Sequence, residues 1–481
     1  MSEATTIVWF RRDLRLSDNA ALVAAARRGR VVPVFIWSPE EEGAAAPAAA
    51  AKWWLHRSLE RLQEALRQRG LELVFRVGPY EQELQKLRAE VNADGLVWNR
   101  RYEPAGIEVD RQIKAVFAER LDYIKSFPGY LLVEPWTLLN QSQSPFKVFT
   151  PFWKRCVSAL NPPEPLGIPE QLIGLEEGPA SVALEDLDLF PQIPWTEGME
   201  ANWQPGERDA LDRMETFVQE RVLDYLDQRN RPDLVGTSRL SPSLHFGEIT
   251  PAQVWHCARR FAERAKIPEG HWKGWQFLAE VGWREFAAYL LYHFPHTVTQ
   301  PLRPEFEKFP TLCEPELLKA WQRGKTGYPI VDAGMRELWH LGWMHNRVRM
   351  IVASFLIKHL LLPWQDGAAW FWDTLVDADL ASNTLGWQWT AGCGADAAPF
   401  FRIFNPVTQA EKFDPQRDYI RRWVPELTRL DDRWIHCPWM APELALVRAG
   451  IKLGVDYPEP VVDHAAARRR ALDAYETIRR R

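Results

Sequence analysis

Short runs of β-branched and aromatic residues alternate with amphipathic stretches along the first 135 residues. The apolar runs are TIVWF, VVPVFIW, LELVFRV, GLVWN and DYIKSF, and the stretches between them include NAALVAAARRG, KWWLHRSLERLQEALRQRG and EQELQKLRAEVNA. Strands that alternate with helices in this way are typical of a doubly wound parallel sheet. We therefore predict an α/β domain over residues 1–135.

The pattern changes after this domain. Residues 161–206 are rich in proline, glycine and acidic residues and lack periodicity, which is typical of a connector on the surface. Beyond residue 207, apolar residues recur every three to four positions, as in ERDALDRMETFVQERVLDYLDQR and LWHLGWMHNRVRMIVASFLIKHLL. We predict an interdomain linker over 136–206 and a larger all-helical domain over 207–481.

Composition removes several classes of protein. The longest apolar stretch, MIVASFLIKHLLL, is interrupted by Lys358 and His359 and is too short to cross a bilayer. No apolar signal core follows the first residues. The cysteines stand far apart, without CxxC or metal-ligand spacing, so we expect reduced thiols in a cytoplasm. We also expect a monomer. The net charge of −5 creates no global basic field, although a local basic face stays open.

The first predicted strand is followed by RRDLRLSDN instead of a GxGxxG turn. Without those glycines the backbone could not approach a pyrophosphate closely. We therefore do not expect a dinucleotide to bind in the α/β domain in the usual way.

Polar side chains cluster in VGTSRLSPSLHFGEIT, where Thr237, Ser238 and Ser241 surround Gly236. Hydroxyls and free N–H groups before a helix bind phosphate. The same residues also serve as ordinary helix caps, and the sequence alone favours capping.

Two helical segments place charged and aromatic side chains on one face. EVGWREF aligns Glu280, Trp283 and Arg284, which suits either a surface Glu280–Arg284 pair or a cavity for a flat, polar-edged ligand. HNRVRM aligns Asn346, Arg349 and Met350, and it leaves Arg347 free to meet a phosphate.

VDADLASN places Asp377, Asp379 and Asn383 in an apolar neighbourhood. Buried carboxylates need cations or hydrogen-bond donors, and Arg284 and Arg349 are available. A metal site is disfavoured, because no histidine or second acidic cluster completes it.

Tryptophan is unusually frequent, with 24 among 481 residues, and NTLGWQWTAG contains two of them. On a helix, positions i and i+2 lie about 200° apart, so Trp387 and Trp389 face nearly opposite sides. Both could be core anchors. Alternatively, indoles carry a one-electron hole or stack on nucleobases.

Motifs spread over nearly the whole chain resemble those of the cryptochrome/photolyase family, and in particular its DNA photolyases. They are GTSRLSPSLHFGEI, WREF, RGKTGYPIVDAGMRELWHLGWMHNRVRMIVASFLIK, LVDADLASNTLGWQW and FFRIFNPVTQAEKFD. The resemblance implies a photolyase fold and a U-shaped FAD in the helical domain. It also implies light-driven electron transfer from reduced flavin to a cyclobutane pyrimidine dimer in DNA, which flips out of the duplex because its stacking is already weakened.

The resemblance assigns roles position by position. The residues on the phosphate side of FAD are Tyr225, Thr237, Ser238, Leu240 and Ser241. Those around the isoalloxazine are Arg284, Arg349, Asp377, Asp379 and Asn383. The pocket for the flipped dimer is formed by Glu280, Trp283, Asn346, Arg347, Met350 and Trp389, and further DNA contacts are Arg229 and Arg402. Glu103 and Asn99 resemble contacts of an antenna chromophore such as 5,10-methenyltetrahydrofolate. Catalytic roles fall on Glu280, Asn383, Trp387 and Trp364.

Trp387 and Trp364 resemble the proximal and middle members of the family's three-tryptophan electron relay. The distal position is occupied by Thr311, which cannot be oxidised in this way. We expect slow or short-lived photoreduction of oxidised FAD, with a branch through Trp343, Trp370 or Trp372 as an alternative.

Asn383, Asn346 and Met350 favour repair of the cyclobutane dimer within the family, and VDAD, WNRRYEPAGIEVDRQIK and FLIKHLL resemble class III bacterial photolyases. The alternatives are a cryptochrome-like blue-light sensor and a generic flavin oxidoreductase. The end of the chain near the end of the shared helical core argues against the sensor, and the missing glycine turn argues against the oxidoreductase.

Overall fold

The computed structural model describes residues 4–159, 161–191, 193–397 and 401–479. A five-stranded parallel sheet occupies the N-terminal part, in the order β3-β2-β1-β4-β5. The strands are β1 (Ala4–Phe10), β2 (Gly29–Trp37), β3 (Val74–Val77), β4 (Gly95–Asn99) and β5 (Tyr123–Phe127). Trp9 on the central strand lies opposite Val34 on one side and Trp98 on the other. The predicted doubly wound parallel sheet is confirmed.

Helices connect the strands of this sheet. They are α1 (Ala20–Ala26), α2 (Pro39–Glu42), α3 (Ala49–Arg67), α4 (Tyr80–Val91) and α5 (Pro104–Phe117). The sequence pattern did not single out α5, which begins with Pro104 at its first position, where proline is favoured because the N–H there has no partner in the helix.

The residues after β1 form buried ion pairs in place of a glycine turn. Arg11 pairs with Asp110 at 2.7 Å, and Arg12 pairs with Glu103 at 3.0 Å. These guanidinium groups occupy the carboxyl end of β1, where a dinucleotide fold would hold a pyrophosphate. The ion pairs therefore take the place of a glycine-lined approach to a phosphate.

The remainder of the described chain is mostly helical, apart from an irregular stretch over residues 161–183. Its helices are α6 (Phe149–Ala159), α7 (Glu197–Asn202), α8 (Glu207–Glu220), α9 (Tyr225–Gln228), α10 (Ser241–His245), α11 (Pro251–Arg264), α12 (Glu269–Trp272), α13 (Gln276–His293), α14 (Pro315–Gln322), α15 (Pro329–Leu341), α16 (Asn346–Ser354), α17 (Trp364–Thr374), α18 (Leu380–Ala391), α19 (Pro406–Phe413), α20 (Asp418–Trp423), α21 (Glu443–Ala449) and α22 (His464–Arg479). None of the helices in the described part is long and apolar enough to cross a membrane.

The long helical pattern around residue 345 is divided into three pieces. Gly342, with φ of +62°, ends α15, and the His345 side chain caps α16 by accepting from Arg347 N at 3.2 Å. A π-helical turn, Phe355–His359, follows α16. Periodicity alone did not reveal these breaks, because the apolar spacing continues through them.

The helical core brings α14 to α18 together around aromatic side chains. Trp321 and Trp387 are buried, with their ring centroids 6.3 Å apart, and Phe371 lies 5.0 Å from Trp387. This packing fixes α18 against α17, and α13 packs against another side of α18. The elements that carry most predicted site residues are thereby held in one rigid cluster.

Candidate functional site

An ion pair joins α16 to the segment before α18. Arg349 Nη2 donates to both carboxylate oxygens of Asp377, at 3.0 and 2.8 Å, and its Nε donates to Met344 O. The Asp377 side chain is only 3% exposed, whereas Arg349 keeps 22%. The guanidinium therefore retains a free edge while it compensates a buried carboxylate.

Asp379 begins α18 and accepts a hydrogen bond from Ser382 N at 2.8 Å. His245 Nδ1 lies 3.4 Å from its other oxygen. Burial raises the pKa of Asp379, but His245 and the nearby Arg284 outweigh burial and hold that pKa below its usual range. Because its pKa is lowered, Asp379 stays an ionised acceptor. Arg284 is held in place by donating to Tyr130 O and Leu244 O.

Asn383 lies one turn further along α18, half-buried, and donates from Nδ2 to Ala368 O at 3.1 Å. Because that contact uses an N–H, the side-chain carbonyl oxygen stays available as an acceptor. Arg349 thus pairs with Asp377 just before α18, and Arg284 lies near Asp379 at its start, so both arginines that the sequence offered as donors meet these carboxylates. The role of these residues and of Asn383 around a flavin ring stays a prediction.

The hydroxyl cluster before α10 does not cap that helix. Leu240 occupies the N-cap position, and no side chain accepts there. Within the described part of the chain, the hydroxyls of Thr237 and Ser238 have no hydrogen-bond partner, while Ser241 Oγ accepts from Trp343 Nε1 at 3.4 Å. The capping interpretation is therefore wrong, and these donors are left for a ligand.

Tyr225 stands behind this segment, buried among Phe217 and Phe277 at centroid distances of 5.7 Å. Burial raises the pKa of its phenol far above the usual value. Its ring contributes to the core, and it presents a neutral hydroxyl.

His345 supplies an observation that the sequence did not single out. Its Nδ1 accepts from Arg347 N, and its Nε2 is buried with no partner among the described residues. Burial, with Arg347 and Arg349 nearby, lowers the pKa of this imidazole to about 3, so Nε2 carries a hydrogen and is a donor. This buried N–H is free to donate to an acceptor atom of a ligand.

On the neighbouring face of α13, Glu280 pairs with Arg229 at 2.7 Å and accepts from Gln276. The proposed surface pair between Glu280 and Arg284 does not form, because Arg284 points toward Tyr130. Trp283 stacks on Phe149 at 3.8 Å with an interplanar angle of 9°. Phe149 supports one face of this indole.

The α16 residues of the predicted lesion pocket lie on the rim of the same region. Asn346 is exposed and Met350 is half-buried. Arg347 donates to Asn230 Oδ1 at 2.7 Å, and its guanidinium lies 4.5 Å from the Phe413 ring. Arg347 and Arg349 diverge, as the helical spacing predicted. Asn230, which orients Arg347, was missed because it lies 117 positions away in the sequence.

Trp387 and Trp389 diverge as expected. Trp387 is 2% exposed within the core, whereas Trp389 is half-buried and donates from Nε1 to Asp396 O at 3.1 Å. Trp389 lines a cavity together with Arg402, which is exposed. The first residue of the FFRIFNP motif, Phe400, lies outside the described residues.

Trp364 starts α17, and Gly367 one turn later touches Trp387 so closely that a Cβ there would lie 2.0 Å from the indole. Trp364 and Gly367 lie on the same face of α17. Because Gly367 contacts Trp387, the side chain of Trp364 lies on the face of α17 that packs against α18. Leu312 N donates to Leu361 O at 2.8 Å, which places the exposed Thr311 beside the segment before Trp364. The position predicted for the distal relay member therefore lies at the surface and is occupied by threonine.

Asn99 and Glu103 are both buried. Asn99 donates to Asp13 and Asn19, and Glu103 pairs with Arg12 and Arg101, which overcome the effect of burial and lower its pKa to about 2. Glu103 also lines a small cavity that reaches Arg284 and Asp379. Their role as antenna contacts stays a prediction.

Among the described residues, no group of three His, Cys, Asp or Glu side chains is arranged to hold a metal ion. The five cysteines are free thiols, and Cys313 is exposed.

The chain matches two family models. Residues 6–170 match the model described as DNA photolyase, and residues 277–477 match the FAD binding domain of DNA photolyase.

Several named proteins are similar over nearly the whole chain. A deoxyribodipyrimidine photo-lyase of Agrobacterium fabrum is 46% identical, with 100% of this chain and 99% of that protein covered. Cryptochrome-2 of Arabidopsis thaliana is 41% identical over 96% of this chain and 77% of its own length. The crystal structure of a bacterial class III photolyase from Agrobacterium tumefaciens superposes with a TM-score of 0.95, at 46% identity over 100% of this chain and 99% of its own. The resemblance to class III enzymes is thereby confirmed, and the chain belongs to the DNA photolyase family, with its FAD-binding domain in the helical part.

Proposed function

We propose that this protein is a deoxyribodipyrimidine photolyase, which uses light and reduced FAD to split cyclobutane pyrimidine dimers in DNA. One observation carries the proposal. The flavin-side residues Arg349 and Asn383 and the lesion-side residues Trp283, Met350 and Trp389 lie on three packed helices, α13, α16 and α18. A flavin and a flipped dimer would therefore lie in adjacent cavities with a fixed separation.

The bound flavin supplies the photoexcited electron that opens the dimer. The residues of this chain bind and orient it. Arg349 and Asp379 would offer one donor and one acceptor to the ring, and Thr237 and Ser238 would bind its phosphates. His345 Nε2 supplies a neutral donor that does not titrate near pH 7.

On the lesion side, Trp283 presents an indole whose back face is filled by Phe149, and Trp389 presents a second from α18. Aromatic surfaces of this kind stack on unpaired bases. When DNA binds, Glu280 releases Arg229 and contacts the dimer instead. Arg229, Arg347 and Arg402 then bind the DNA backbone. Dimer-containing DNA is the substrate.

We further propose a cytoplasmic monomer that carries an antenna chromophore such as a methenyltetrahydrofolate in addition to FAD. Free thiols support a reducing compartment. An archaeal photolyase from Sulfolobus tokodaii, 31% identical with a TM-score of 0.79, was solved with two FAD molecules and an implied light-harvesting role for one.

A second candidate function, a blue-light sensor without repair, is supported by the similarity to plant cryptochromes. Asn383 favours repair, since the resemblance places an acid at this position in plant cryptochromes.

The deciding experiment is repair of an oligonucleotide with one thymine cyclobutane dimer. The purified protein with reductant is assayed in blue light and in darkness, with a (6-4) lesion duplex in parallel. Repair of the cyclobutane dimer in light alone is expected. No repair despite bound, reduced FAD would contradict the proposal and favour the sensor.

A further inference from the structure

Lys358 is a buried basic side chain that has no carboxylate partner among the described residues. Its side chain is 2% exposed, and it lies in the π-helical turn after α16. Its ammonium donates to Arg402 O and lies 4.2 Å from the Phe401 ring. Burial disfavours the protonated form of such an amine, so a ligand that supplies a negative charge would stabilise that form.

The cavity next to Lys358 has the composition of an anion site. It is lined by Ser354, Lys358, Trp389, Thr390, Arg402 and Phe404. The Ser354 hydroxyl accepts from Phe404 N at 3.4 Å and keeps its own hydrogen free to donate. Arg402 has no ion-pair partner in the described part of the chain. Two cations and a hydroxyl donor face the cavity, and no acid lines it.

The other titratable groups around Lys358 do not neutralise it. The Cys393 thiol is buried, and burial raises its pKa to about 12, so it stays neutral. Arg303 reaches Gly392 O at the cavity edge and is paired with Glu305 at 2.8 Å. His359, next along the chain, turns away to His464 on α22, at 2.8 Å, and Arg470 bonds to its carbonyl.

Resting on the proposed function, we propose that this cavity is a phosphate subsite, which takes one phosphodiester of the DNA strand beside the flipped dimer. The buried Lys358 and Ser354 form its floor, and the exposed Arg402 forms its mouth. Trp389 forms the wall shared with the lesion pocket, so a phosphate held here fixes the strand against that pocket.

The titration of Lys358 gives the subsite a pH dependence. Burial, with Arg402 nearby, lowers the pKa of the ammonium to about 7. A bound phosphate favours the protonated form and raises that pKa, so binding takes up a proton. Affinity for DNA is therefore expected to fall as the pH rises above 7, until the pKa of the bound state is passed.

The test combines a Lys358→Met variant with dimer-containing oligonucleotides in which single phosphates near the dimer are replaced by neutral methylphosphonates. In the wild type, one replacement is expected to weaken binding about tenfold, the magnitude of one charged hydrogen bond. Lys358→Met should weaken binding to the unmodified strand by a similar factor and reduce the salt slope of binding by about 1. In that variant, the same methylphosphonate should cause no further loss of affinity. Lys125→Met, on the exposed side of β5, is the matched control and should keep the wild-type profile.

Equal methylphosphonate costs in the wild type and in Lys358→Met at every position would overturn the proposal. If the variant does not fold or does not bind FAD, the wild type alone decides. The methylphosphonate at the sensitive position should then abolish the loss of affinity between pH 7 and 9, and an unchanged pH profile would overturn the subsite. Failure of the photolyase proposal itself would appear differently, as no preference of the wild type for dimer-containing DNA.

Discussion

The indoles of Trp387 and Trp389 leave α18 on opposite faces, although only Gln388 separates them. Trp387 packs against Phe371 in the core, and Trp389 lines the cavity beside Arg402. We expect Trp387→Phe to abolish photoreduction of oxidised FAD, because phenylalanine is not oxidised in its place, and to preserve repair from chemically reduced enzyme.

Trp389→Ala should show the opposite pattern, because it removes a stacking surface worth about 1–3 kcal/mol. Binding of dimer-containing DNA would fall about 5- to 150-fold, while photoreduction continues. Absorbance of the flavin under blue light and gel-shift titration measure the two properties. Equal effects of both substitutions on both measurements would contradict the assignment of the two faces.

Thr311 lies exposed where the electron relay would reach the surface. Thr311→Trp is expected to increase the yield and lifetime of photoreduced flavin, because an oxidisable ring would then stand beyond Trp364. Thr311→Phe is the matched control, with a similar apolar ring that is not oxidised, and should behave as the wild type does. Transient absorption measures the surface tryptophan radical, and a long-lived radical at full yield in the wild type would show that another indole already completes the relay.

Gly367 and Gly386 provide a matched pair for testing the packing around Trp387. A Cβ at Gly367 would lie 2.0 Å from the Trp387 indole, so Gly367→Ala should lower the free energy of unfolding by about 1–3 kcal/mol. Gly386 lies within α18, and a Cβ there would meet open space, so Gly386→Ala should stabilise the protein by about 0.5–1 kcal/mol. Chemical unfolding of both variants checks this, and a Gly367→Ala protein as stable as the wild type would contradict the close approach.

Glu285 gives the fold a defined pH dependence. Burial raises its pKa to about 7, despite Arg284 and the N–H groups of Leu132 and Val133. Between its usual value of about 4.5 and 7, the folded state binds more protons than the unfolded state. The contribution of Glu285 to stability is therefore complete below pH 4.5 and is lost as the pH rises toward 7.

Glu285→Gln should flatten this part of the stability curve, measured by chemical unfolding from pH 5 to 8. The exposed Glu177→Gln is the control and should leave the curve unchanged. A variant at Glu285 with the same slope as the wild type would exclude Glu285 as the titrating group.

The ion pair between Arg349 and Asp377 leads to a further prediction. Asp377→Asn leaves the guanidinium without its buried partner, so we expect a lower affinity for FAD and a lower unfolding temperature. Asp366→Asn, on the exposed side of α17, should change neither. Equilibrium dialysis of FAD and thermal unfolding provide the measurements.

The sequence by itself determined the α/β architecture, since the alternation of apolar runs and amphipathic stretches follows directly from strand and helix periods. It also placed Glu280, Trp283 and Arg284 on one turn and Trp387 opposite Trp389, because helical geometry fixes spacing within one element. Only the tertiary structure decided which partners those side chains take. Glu280 pairs with Arg229 and not with its helical neighbour Arg284, and Arg347 bonds to Asn230, far away in the chain. Only the tertiary structure showed that Lys358 is buried without a carboxylate partner among the described residues and that the hydroxyls before α10 do not cap that helix. Burial and charge pairing depend on which elements meet in space, and the sequence does not specify this directly.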